Sequence, residues 1–218
     1  MFVLLSCATL AADLVSKHYA FRSLEDQPDL AKHVSHIRLR LREQFQRQIE
    51  QNLRPADQAE PTTRDILQAL AVLDPYQHKS VIGVRMTLST NPGVVFGLPM
   101  PRPLVAAATL LTIALVVYFF AAAGARAYWI HVAMALILGG ALGNLYDRMF
   151  SVVALPGEGL EPIRYHVRDF IDCSSLNYPY VFNVADVWLV IGVTMLILHW
   201  LVTAGAPASA KRKADRTR

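Results

Sequence analysis

The sequence predicts a membrane protein, mainly α: four transmembrane helices, a small extracytoplasmic β element and an extracytoplasmic helical insert. Three observations lead to that class. Of the 218 residues, 54% are hydrophobic and only 17% are charged, against about 25% charged in an average soluble domain. More than half of the charged residues fall between Lys17 and Arg85, and a further group follows from Lys211 onward. The remaining chain contains long uncharged stretches of ~20 residues, enough at about 1.5 Å per residue to cross an apolar layer of ~30 Å. This composition excludes intrinsic disorder, which requires low hydrophobicity, and it does not suit a water-soluble globule. Cys7 and Cys173 are too few for a disulfide scaffold or a zinc site. The net charge of +4 comes largely from a short tail and does not indicate nucleic-acid binding.

Taken in order, residues 1–21 form the first helix. Met1–Val15 is short for a span, and the helix continues toward Phe21 past Asp13 and Lys17. The segment lacks the basic start of a cleaved signal peptide. Leu4-Leu5-Ser6-Cys7 looks like a lipidation box, but the residues ahead of it are too few for a hydrophobic core. Residues 22–80 form a largely helical extracytoplasmic segment. Over 30–53 the apolar positions Val34, Ile37, Leu41, Phe45 and Ile49 recur every three or four residues, the period of a helix face packed on the protein or laid on a lipid surface. Pro55 to Pro61 breaks it, and a second helix over 62–72 takes Thr62 or Thr63 as its cap. Residues 81–103 hold a strand and a motif segment; the alternation from Val81 to Leu88 has a period of two and predicts a half-buried strand.

Residues 104–206 carry the other three spans, Leu104–Ala123, Ala127–Tyr146 and Val187–Ala206, with an outer loop over 148–183. The basic tail 207–218 contains Lys211, Arg212, Lys213, Arg216 and Arg218, which places the C-terminus in the cytoplasm by the positive-inside rule. An even number of spans puts the N-terminus on the same side and segments 18–103 and 148–183 on the other.

Ionisable groups at membrane depth cost ~2.5–3.5 kcal/mol on insertion scales, so each is a functional candidate. Asp13 lies one helical turn from Lys17, and a snorkelling ion pair accounts for both. At the end of the third span Gly140, Asn144, Asp147 and Arg148 share one helix face, and the glycines of Gly139-Gly140-Ala141-Leu142-Gly143 permit close helix packing. Asn144, Asp147 and Arg148 form either an interhelical polar clasp or part of a site. Asn183 can cap the fourth span, and Asp186 suits its positive end. Between them lies Val167-Arg168-Asp169-Phe170-Ile171-Asp172. Asp147, Asp169 and Asp186 therefore gather at one membrane surface, and paired carboxylates are what an acid–base hydrolase requires: held close, one keeps its proton and the other acts as base toward water.

These residues give the chain a family resemblance. Asp13-Leu14-Val15-Ser16-Lys17, Asn91-Pro92-Gly93-Val94-Val95-Phe96-Gly97, Gly139 to Arg148, Val167-Arg168-Asp169-Phe170-Ile171, and Phe182-Asn183-Val184-Ala185-Asp186 with the following Gly192 resemble, in order, the motifs of lipoprotein signal peptidase (signal peptidase II). The resemblance implies an intramembrane aspartyl endopeptidase of the bacterial inner membrane, with both termini cytoplasmic and its active site near the outer face. Its substrates would be prolipoproteins with a diacylglyceryl-modified cysteine, met in the lipid by a monomeric enzyme without metal or cofactor. By motif position the catalytic pair falls on Asp169 and Asp186. Asn91, Asn144, Arg148 and Asn183 match positions lining the site, and Asp13 and Asp147 match supporting ones. The resemblance further implies that Arg148 ties Asp147 or a nearby carbonyl. Asp172 is the residue most easily confused with Asp169.

Pro92, Val94 and Val95 depart from the family's usual Asn-Thr-Gly-Ala-Ala-Phe, and the long separation of Asp13 from Asn91 marks the insert as an addition. Two other functions fit parts of the pattern. A cation-coupled transporter component would use outward carboxylates, although transporter sites lie nearer the midplane. A catalytically inactive relative would serve as an envelope binding or scaffold protein, for which the altered motif leaves room.

Overall fold

The computed structural model describes residues 1–73, 83–93 and 101–204. In chain order these form helices α1 (Phe2–Glu25), α2 (Leu30–Glu50) and α3 (Thr63–Leu73), strand β1 (Arg85–Asn91), helices α4 (Arg102–Ala122) and α5 (Tyr128–Phe150), strands β2 (Val152–Val153), β3 (Ile163–Arg164), β4 (Val167–Asp172) and β5 (Val181–Phe182), and helix α6 (Val184–Ala204). Val81 and Ile82 of the expected strand, Val94 to Gly97 of the Asn-Pro-Gly motif, and the basic tail lie outside the described residues.

Helices α4, α5 and α6 are long and apolar enough to cross a membrane. Helix α1 also has spanning length, and it runs past Phe21 to Glu25. Asp13 and Lys17 leave it less apolar than the other three. Helix α5 is the centre of the bundle and packs on α1, α4 and α6. Its contact faces are built from small residues, which let neighbouring backbones approach closely. A Cβ added at Gly140 would stand 2.6 Å from the Ala185 carbonyl oxygen, and one at Gly192 of α6 would stand 2.8 Å from the Ala133 carbonyl oxygen. The α5–α6 contact therefore has no room for a side chain at either place.

A three-stranded antiparallel sheet in the order β1-β4-β5 lies beside this bundle, with β2 and β3 as a separate short pair. Strand β1 pairs with β4 from Arg85 opposite Asp172 to Asn91 opposite Val167, with an irregularity between Met86 and Ser89. That irregularity ends the expected alternation, so the adjacent residues Thr87 and Leu88 are both buried. An extra residue in one strand turns two successive side chains toward the same side.

The insert packs on the protein. Leu30, Val34 and Ile37 of α2 and Ile66, Leu67 and Leu70 of α3 share one core with Ala20, Phe21 and Leu24 at the end of α1 and with Leu88 and Phe170 of the sheet. The apolar face of α2 is thereby turned into protein and is not free for lipid. Thr62 is the cap of α3: its hydroxyl accepts the Asp65 N–H while the Asp65 carboxylate accepts the Thr62 N–H at 2.8 Å, a reciprocal capping box. Thr63 instead donates to the Glu161 carbonyl at 2.6 Å, and Arg38 of α2 donates to the Glu158 carbonyl at 2.7 Å. Both bonds fasten the insert to the 154–163 connection.

Overpacking a tight helix contact costs typically ~1–3 kcal/mol. Gly140→Val is therefore expected to lower the thermal midpoint of the detergent-solubilised protein by several degrees. Gly124→Val, where an added Cβ meets nothing within 4 Å, is expected to leave the midpoint unchanged.

Candidate active site

The polar residues singled out from the sequence come together where α1, α5, β4 and the start of α6 meet. Helix α5 supplies Asn144, Asp147 and Arg148 from one face; it continues to Phe150, a turn beyond the expected end at Tyr146. Helix α6 starts at Val184, three residues earlier than expected, because Asn183 and Asp186 cap it reciprocally. The Asn183 side-chain oxygen accepts the Asp186 N–H at 3.1 Å, and the Asp186 carboxylate accepts the Asn183 N–H at 3.2 Å. This capping holds both side chains at the helix end.

The two amides join the two carboxylates. Asn183 Nδ2 donates to Asp169 Oδ1 at 2.6 Å and to Asn144 Oδ1 at 3.2 Å, and Asn144 Nδ2 donates to Asp186 Oδ1 at 2.8 Å. Asp169 is 3% exposed. Burial, and after it the nearby charge of Asp186, push its carboxyl up to about 8, so it keeps its proton at neutral pH.

Asp172 is in a different setting. Three positions along a strand bring a side chain to the opposite face, and Asp172 there pairs with Arg85 at 2.8 Å and accepts the Ser174 N–H at 2.8 Å. Its burial opposes ionisation, but the bonds from Ser174 and the charge of Arg85 outweigh it and hold the carboxyl below the ordinary range.

Lys17 does not snorkel. It is fully buried, and its ammonium lies 2.7 Å from Asp13 Oδ2, 3.2 Å from Asp147 Oδ2 and 3.1 Å from Asn144 Oδ1. Asp13 accepts the Ala185 N–H with its other oxygen at 2.8 Å, so α1, α5 and α6 are tied at one point. The i,i+4 spacing signalled the Asp13–Lys17 pair; that the pair faces Asn144 and Asp147 depends on helix packing, which spacing does not reveal.

Arg148 donates to the carbonyls of Gly93, at 2.9 Å, and of Asn144, at 3.4 Å. Of the two expected partners it thus takes the carbonyl. Asp147 is held instead by Arg168, through the backbone N–H at 2.9 Å and the guanidinium at 2.7 and 3.0 Å. Arg168 carried no assigned role in the sequence reading. Asn91 reaches the site indirectly: its side-chain oxygen accepts the Gly93 N–H at 2.9 Å across Pro92, and this turn presents the Gly93 carbonyl to Arg148. The bond that closes this turn is donated by Gly93 and requires no N–H at position 92, so proline fits there. Among the described residues no group of three or more His, Cys, Asp or Glu is arranged to hold a metal ion.

Removing one partner of a buried ion pair costs about 3–5 kcal/mol, because the remaining charge stays buried. Lys17→Met is accordingly expected to lower the thermal midpoint in detergent far more than Lys32→Met, which breaks an exposed pair with Asp29 worth little.

Known proteins bear on this arrangement. Residues 62–202 match the family model described as signal peptidase (SPase) II. A lipoprotein signal peptidase of Aquifex aeolicus (strain VF5) is 38% identical over 133 residues, which cover 59% of this chain and 70% of that protein. One of Mycobacterium leprae (strain Br4923) is 33% identical over 150 residues, covering 67% and 69%. A bacterial membrane enzyme solved by the in meso method at 2.3 Å shares the fold, with a TM-score of 0.58 at 20% identity over 94% of this chain and 89% of that one. With a family match across most of its length, the chain belongs to the signal peptidase II family.

Proposed function

We propose that this protein is an intramembrane aspartyl endopeptidase that removes the signal peptide from diacylglyceryl-modified bacterial prolipoproteins. The observation that carries the reading is the pair Asp169 and Asp186, bridged by Asn183 and Asn144, with a proton retained on Asp169 near neutral pH. Such a pair supplies the acid and the base of a peptide hydrolysis. The relatives named lipoprotein signal peptidase supply the substrate class.

In the mechanism, Asp186 takes a proton from a water whose oxygen attacks the scissile carbonyl carbon. Asp169 gives its proton to the carbonyl oxygen, and a gem-diol forms. Asp169 then recovers a proton from a gem-diol hydroxyl. Asp186 gives its own to the leaving nitrogen, and the carbon–nitrogen bond breaks. Asn144 and Asn183 hold the carboxylates, and Asp13 and Asp147 anchor the surrounding helices through Lys17. Arg148, with Asn91 behind it through Gly93, lines the substrate groove.

The same reading makes α1 the fourth span, its 24 residues being ~36 Å long. It places both termini in the cytoplasm and the site near the outer face of the inner membrane, with the enzyme working as a monomer in lipid. Its divisions are residues 1–21 as the first span, 22–80 as the insert, 81–103 as the strand and motif segment, 104–206 as the later spans with loop 148–183, and 207–218 as the cytoplasmic tail.

Cleavage of a diacylglyceryl-modified prolipoprotein by the purified full chain in detergent or lipid tests the function. Wild type is expected to turn over, and Asp169→Asn and Asp186→Asn to lose at least about 10³-fold while remaining folded. A folded wild type without turnover would overturn the reading, and an active Asp169→Asn would overturn the choice of pair. The pH profile is a separate check. Asp169 must be protonated to act as acid, so activity is expected to fall as pH rises through about 8; a rate that keeps rising beyond that point would contradict the role.

A further inference from the structure

We propose that Arg168 is a positioning residue for this reaction, setting the place and the charge balance of Asp169 through Asp147. The inference rests on the reading of Asp169 and Asp186 as the reacting pair. Side chains alternate along β4, so Arg168 and Asp169 point to opposite faces and Arg168 acts from behind the site. Three of its groups converge on one fully buried carboxylate: the backbone N–H on Asp147 Oδ2, and Nε and Nη2 on Asp147 Oδ1. Asp147 is in turn fixed by Lys17 at 3.2 Å.

The need for such a clamp follows from the sheet. Strand β5 pairs with β4 only at Ile171 and Asp172. The half of β4 that carries Asp169 is held by β1, where Ser89 stands opposite Asp169 and Thr90 opposite Arg168, and by the grip of Arg168 on α5. The following residue, Phe170, is packed in the core shared with α2 and α3. The Arg168 guanidinium also lies 5.9 Å from the centre of the Phe21 ring in that core. Asp169 is thus flanked on one side by a bond to the helix bundle and on the other by the insert.

Charge points the same way. Around Asp169 stand Asp13 and Lys17 on α1, Asp147 and Arg148 on α5, and Asp186 on α6, with Arg168 on β4 itself and Glu25 at the end of α1 near Arg168. Besides Asp169 itself, the carboxylates Asp13, Asp147, Asp186 and Glu25 face the cations Lys17, Arg148 and Arg168, so a further negative charge on Asp169 finds no cation in excess. Without Arg168 the negative charge of Asp147 is less balanced, and Asp169 holds its proton more tightly.

The experiment compares wild type, Arg168→Met, Arg168→Lys and Asp169→Asn as full chains cleaving the same lipid-modified prolipoprotein, with thermal midpoints recorded for each. Arg168→Met is expected to lower kcat about tenfold or more with KM within about threefold, because the Arg168 side chain is bound to Asp147 on the face of β4 opposite Asp169, and to move the alkaline fall in activity to higher pH. Arg168→Lys, which can still reach Asp147 Oδ1, is expected to recover the wild-type pH profile and most of kcat. A wild-type kcat and pH profile in Arg168→Met would overturn the proposal. So would a loss of rate matched by the loss of folded protein with the pH profile unmoved, or a lysine variant that recovers nothing. If Arg168→Met does not fold, the lysine variant decides by the same two readouts. Asp169→Asn separates the two levels: if it cleaves like wild type, the assignment of the pair fails and this proposal fails with it.

Discussion

Lys17 lies where water does not reach it, with carboxylates from two helices and an amide against its ammonium. A buried charge is tolerated only when its partners complete its hydrogen bonds, so this lysine constrains everything around it. Asp13 must face α5, Asp147 must face α1, and Asn144 must turn its oxygen inward. Once that oxygen is committed to Lys17 and Asn183, the Asn144 amide nitrogen is left pointing at Asp186. The orientation of the Asp186 carboxylate is therefore a consequence of how a lysine on a different helix is satisfied.

The small residues of α5 serve the same end. An ammonium can bridge α1 and α5 only if the helix axes are close, and a Cβ added at Gly139 would stand 2.9 Å from the Ser6 carbonyl oxygen of α1, while the Gly140 and Gly192 contacts leave no space for a side chain between α5 and α6. Close packing and polar bonding are thus one device here: the glycines bring the backbones together, and the polar groups fix their register. Capping does the remaining work at the start of α6, where Asn183 both ends the loop and reaches Asp169.

The insert has a physical part in this arrangement. Its two helices bury their apolar faces against the end of α1 and the back of the sheet, so the strand bearing Asp169 is backed by packed side chains. Arg38 and Thr63 bind backbone carbonyls of the 154–163 connection, which joins the insert and that connection into one body behind the candidate site.

The sequence by itself determined the helices, because apolar length and a period of three to four are local properties, and it determined which polar residues were costly enough to matter. Asn144, Asp147, Asp169, Asn183 and Asp186 were legible for that reason. The capping of α6 was legible too, since Asn183 and Asp186 stand three residues apart. What only the tertiary structure decided is who bonds whom. That Asp169 bonds Asn183 while Asp172 pairs with Arg85 depends on which face of β4 meets the start of α6. The arginine that pairs with Asp147 proved to be Arg168 from a strand rather than Arg148 from its own helix, and the burial of Lys17 depended on a contact between residues 127 positions apart. Strand alternation failed at Thr87 and Leu88 because an irregularity in pairing with β4 involves a partner far along the chain. Spacing in one segment carries no information on the segment that packs against it, and the site is made almost entirely of such contacts.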